Sequence, residues 1–135
     1  MELSNELKTK YSDFIKMMKN LRFDDYEIEN KIIEMSDLED WEPISLMELQ
    51  SMTQSELDNL KSYCWHEGIP RCSCIGITDV KVITKNVNRH IIKFSDNNGG
   101  TTIELIGDLD SKIDNVGDGE WNYGIYKNTE LRKKN

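Results

Sequence analysis

Along this chain the spacing of apolar residues changes once, from helical to alternating, close to residue 69. That change restricts the fold to helices followed by an antiparallel sheet, because neither period can be accommodated in the other element. Leu3, Leu7, Tyr11, Phe14, Met18 and Leu21 recur at steps of three and four, the apolar stripe of one amphipathic helix. Asp24 followed by Glu27 has the form of a helix start, and Ile28, Ile32 and Met35 supply a second stripe over about residues 25–36. Ser36–Glu39, Ser45–Glu48 and Thr53–Glu56 each carry the Ser/Thr-x-x-Glu capping signature, the first opening a single turn before Trp41 and Pro43. The last of them predicts a helix with Leu57, Leu60 and Cys64 inward, stopped by Gly68 and Pro70.

From there the period is two. Val80, Val82 and Thr84 alternate with Lys81, Ile83 and Lys85, and His90, Ile92 and Phe94 alternate with Arg89, Ile91 and Lys93. Asn97-Asn98-Gly99-Gly100 tolerates the positive φ of a hairpin turn, and strands follow over Thr101–Ile106 and Glu120–Lys127. At 135 residues the chain has the length of one domain. The expected fold is α+β over 1–135: a helical half (1–68) packed on an antiparallel meander of about four strands (69–128), with a frayed tail at 129–135. Val80, Val82, Ile92, Phe94, Ile103 and Leu105 form the expected core face. The opposite face carries Ile83, Ile91 and Ile106 among cations, so it is a surface on which a second copy of the chain could seat.

No apolar run approaches the roughly 18–20 residues of a membrane span. The first six residues lack the basic start and apolar stretch of a signal peptide, so the expected location is cytoplasmic with reduced thiols.

Net charge is −8, and its distribution says more than its size. Between Asp24 and Glu48 ten carboxylates face one base, Lys31, so the remaining residues together are nearly neutral. Such a field repels phosphate, which argues against direct nucleic-acid binding, and it steers toward a basic surface of a protein partner. The residues expected to make that contact are Asp24, Asp25, Glu27, Glu29, Asp37, Glu39, Asp40 and Glu42. Alanine is absent while Ile, Asn, Lys, Asp and Glu abound, as AT-rich codons would produce in a low-GC bacterium or its phages and mobile elements. With no catalytic constellation evident, the leading expectation is a non-catalytic acidic inhibitor that docks on the basic groove of an enzyme, of the phage anti-defence or toxin-immunity kind.

Two alternatives rest on other residues. Cys64, His66, Cys72 and Cys74 lie within eleven residues and are zinc-type ligands, which suggests a small zinc-stabilised regulatory module. Their Cys-x-His and Cys-x-Cys spacing is tighter than common zinc knuckles use, and the ordinary reading is a buried Cys64 with Cys72 and Cys74 as small residues entering a strand. Lys81, Lys85, Arg89 and Lys93 suggest instead a binding protein for a small phosphorylated ligand. A Cys72 or Cys74 nucleophile paired with His66 or His90 lacks any sequence sign of a base within reach, and His90 reads as a satisfied sheet histidine. Alternating carboxylates at Asp108, Asp110 and Asp114 miss the calcium-loop pattern because Lys112 occupies an oxygen position.

Overall fold

The computed structural model describes residues 3–117 and 119–128, so the tail at 129–135 and Asp118 lie outside the described residues. The chain divides into two compact units, Met1–Asp40 and Trp41–Asn135. No helix among the described residues is long and apolar enough to cross a membrane.

The first unit is helical: α1 (Asn5–Lys10), α2 (Ser12–Asn20) and α3 (Asp25–Asp37), then a single 3₁₀ turn, Leu38–Asp40. The stripe from Leu3 to Leu21 predicts one helix, but the chain bends at Tyr11, whose φ of −106° and ψ of 24° leave the helical region. The hydrogen-bond ladder continues across the bend, from Tyr11 N–H to the Leu7 carbonyl and from Ile15 N–H to the Tyr11 carbonyl. Asp24 caps α3 as expected, its carboxylate accepting from the Glu27 N–H at 2.8 Å. Ser36 is not a cap: its hydroxyl donates back to the Ile33 carbonyl, and α3 runs on to Asp37.

The second unit holds β1 (Trp41–Pro43), α4 (Leu46–Ser51), α5 (Gln54–Leu57), β2 (Lys61–His66), β3 (Ile69–Ile75), β4 (Thr78–Asn86), β5 (Arg89–Asp96), β6 (Gly99–Ile106), β7 (Val116–Gly117) and β8 (Trp121–Asn128). Its strands make two antiparallel sheets. One has the order β1-β8-β2-β3 with β7 on β8, and the other is the meander β4-β5-β6. The α+β class therefore holds, while the single four-stranded meander gives way to two sheets. The strand expected at Glu120–Lys127 exists as β8 but joins the first sheet, alongside β1 and β2.

Both capping boxes at Ser45 and Thr53 are formed, yet the helix expected to reach Cys64 ends at Leu57. Residues 61–66 are a strand instead, and Glu67 and Gly68 (φ 52° and 81°) form the two-residue turn into β3. Gly68 supplies positive φ as its sequence context suggests, though for a hairpin rather than a helix end. Pro70 is tolerated because β3 lies at the edge of its sheet.

The core of this unit lies on one face of the meander, where Ile92, Phe94, Ile103 and Leu105 pack with Leu46, Leu49, Leu57 and Ile125. Val80 and Val82 border it, so the expected core face is the one observed. His90 is 1% exposed, with Nδ1 3.0 Å from the Thr84 hydroxyl and Nε2 3.1 Å from the Gly107 carbonyl.

Candidate functional site

In α3 the buried side chains Ile28 and Ile32 fix which way the helix faces inward. At about 100° per residue, Asp25, Glu29, Asp37 and Glu27 spread over about 200° of the remaining circumference. Asp25, Glu27 and Asp37 are exposed and Glu29 is half-buried. Tyr26 stands among them at 73% exposure, an aromatic ring on an acidic surface that charge counting alone overlooks.

Helix electrostatics separate these carboxylates. Asp24, Asp25 and Glu27 lie at the N-terminus, where the backbone dipole favours negative charge. Asp37 sits in the last turn, where the dipole opposes it and where no basic residue is present. Past the helix, Glu39 is paired with Lys10 and accepts from the Tyr11 hydroxyl, and the lysine holds its carboxyl below the ordinary range. Asp40 closes the 3₁₀ turn and has a contact of its own.

Glu42 belongs to the second unit. On β1 it lies 3.3 Å from Lys127 of the neighbouring β8. Lys127 also binds Glu48 at 2.7 Å, and Lys112 approaches the same carboxylate at 3.5 Å. The Lys127 hydrogen bond, outweighing partial burial, lowers the Glu48 carboxyl to about 2. Of the eight carboxylates expected to form one patch, Glu39 and Glu42 are thus tied into internal ion pairs. Asp24, Asp25, Glu27, Glu29 and Asp37 remain as the surface of α3.

Of the four zinc-type ligands, no three have donor atoms within 4.8 Å of one another. The cause is register. Cys64 is opposite Cys72 across the β2–β3 ladder with the sulfurs 2.7 Å apart, whereas Cys74 is opposite Ser62. A bulge between Cys64 and Trp65 separates His66 from this pair. His66 instead joins Glu67 and Glu120, whose donor atoms do fall within 4.8 Å, and its ring stacks on Trp121 at 4.4 Å between centroids. Those three side chains could hold a cation at the end of the hairpin. Burial, followed by the Cys72 contact, pushes the Cys64 thiol up to about 12, so it is held as the neutral thiol.

The basic residues of the meander are brought together. Pairing of Lys81 with Lys93 and of Ile83 with Ile91 places Lys81, Ile83, Arg89, Ile91 and Lys93 on the face opposite the core, and the exposed Lys85 falls at the register shift between Thr84 and Asn86. Arg89 is held in a two-pronged pair by Glu104, at 2.7 and 3.2 Å. Ile83 and Ile91 are half-buried, and Ile106 is 66% exposed.

Searches of protein-family models, of curated proteins and of solved structures found no match to this chain.

Proposed function

We propose that the chain is a non-catalytic interaction protein whose recognition surface is the acidic face of α3, with Asp24, Asp25, Glu27, Glu29 and Asp37 around Tyr26, and whose partner presents a cationic surface. An enzyme groove that normally holds a polyanion has that chemistry, which would make the chain its inhibitor. The supporting observation is Asp37. A carboxylate in the last turn of a helix, with no basic neighbour there, costs about 0.3–1 kcal/mol. A cationic partner would offset that cost, and a local rule broken with no basic residue in the same turn is the kind of departure functional surfaces carry. Tyr26 adds the amphipathic ring that anchors interfaces.

The test uses an arginine-rich peptide as the probe surface. Neutralising Asp25, Glu27, Glu29 and Asp37 to their amides is expected to weaken peptide binding about tenfold or more and to flatten its salt dependence. A control removes four carboxylates elsewhere, at Asp79, Asp108, Asp110 and Glu120, and should change affinity less than about twofold. Equal losses in the two variants would reduce the effect to net charge and overturn the proposal.

A second reading is favoured by the sheet register: capture of a small phosphorylated molecule by Lys81, Lys85 and Lys93 beside the Arg89–Glu104 pair. Nucleotides and pyrophosphate should then raise the melting temperature of the unaltered chain and not of a Lys81→Gln, Lys85→Gln, Lys93→Gln variant; a flat panel rejects it. The same lysines argue against a symmetric dimer through this face, since a two-fold contact would set each cationic surface against its own copy.

A further inference from the structure

We propose that Cys64 and Cys72 are a disulfide-forming pair that reacts with a hydroperoxide, making the second unit a carrier of a two-electron redox site. The placement comes from the sheet. Directly opposed residues of an antiparallel pair have Cα atoms about 4.5–5.5 Å apart, inside the roughly 4.4–6.8 Å that a disulfide requires. Cys64 and Cys72 are such a pair, and their sulfurs are already in contact at 2.7 Å. Closing the bond therefore needs no rearrangement of the ladder. Both cysteines line a cavity of about 210 Å³ shared with Ser62, Cys74, Asp96 and Trp121, large enough for a small peroxide.

Burial divides the roles. Cys72 is half-buried and Cys64 only 6% exposed, so Cys72 meets the oxidant and Cys64 resolves. The Cys72 sulfur attacks one peroxide oxygen, the O–O bond breaks, and with hydrogen peroxide a water leaves, giving the sulfenic acid. The Cys64 thiol, already in contact, attacks the Cys72 sulfur as its proton passes to the departing hydroxyl. The S–O bond breaks, a second water leaves, and the S–S bond forms. The two thiols are oxidised by two electrons in all, and one peroxide is reduced to two waters. Cys74 is bypassed because it faces Ser62 across the ladder, not a second thiol.

The test is a peptide map of the full, reduced chain after treatment with one equivalent of hydrogen peroxide. The expected result is loss of two hydrogens, with the link between Cys64 and Cys72, in both the unaltered chain and Cys74→Ser. Cys64→Ser should accumulate a Cys72 sulfenic acid that dimedone captures, and Cys72→Ser should leave Cys64 untagged. A link through Cys74, a link between two chains, or three thiols that persist and alkylate at equal rates would overturn the proposal. The map of the unaltered chain decides the pairing even if a variant does not fold.

Discussion

Glu48 does several jobs with one carboxylate. It closes the capping box of α4 by accepting from the Ser45 N–H at 3.1 Å, and it anchors Lys127 of β8. Because its carboxyl is lowered to about 2 in the folded chain, its contribution is complete above the ordinary value of 4.5 and fades as pH falls from there toward 2. Glu48→Gln keeps a glutamine able to complete the box but removes the ionic partner. The variant should lose about 1 kcal/mol in urea unfolding at pH 7, with the difference from the unaltered chain shrinking toward zero at pH 2. A constant difference across that range would contradict the assignment. At this scale the sequence was informative at Asp24, Ser45 and Thr53, where partners are three residues apart, and misleading at Ser36, which bears the same signature inside α3. It was silent on Glu48–Lys127 and on Cys64–Cys72, because those pairs depend on which strands lie side by side.

Among the elements, α3 bears most of the functional weight and was also the most legible: its cap, its inward stripe and its extent follow from residues 24–37 alone. The cost of Asp37 yields a prediction particular to this helix. Asp37→Asn should raise stability by about 0.3–1 kcal/mol in thermal unfolding while weakening capture of the arginine-rich peptide. A variant that gains nothing in stability would remove the argument drawn from the last turn. β2 illustrates the opposite case. Leu57, Leu60 and Cys64 keep helical spacing by coincidence, and Lys61 through Cys64 are all buried, so a central strand loses the alternation by which strands are read. β1, three residues long, is too short to have a period at all. The meander strands are legible for the reason β2 is not: one of their faces is wet, and Lys81, Lys85, Arg89 and Lys93 mark it.

For the whole molecule, the same sequence contains a concentrated acidic helix and a cationic sheet face, in separate compact units. Net charge of −8 hides both. Charge counting located the acidic segment but could not separate α3, where Asp25, Glu27 and Asp37 are exposed, from Glu42 and Glu48, which long-range pairing with Lys127 withdraws. The most direct test is therefore spatial: backbone amide shifts of the unaltered, isotope-labelled chain recorded while the arginine-rich peptide is titrated in. Perturbations concentrated on residues 24–37, with the Tyr26 amide among the largest, are the predicted result. Shifts spread evenly over all exposed carboxylates, or centred on Asp108 and Asp110, would contradict the account.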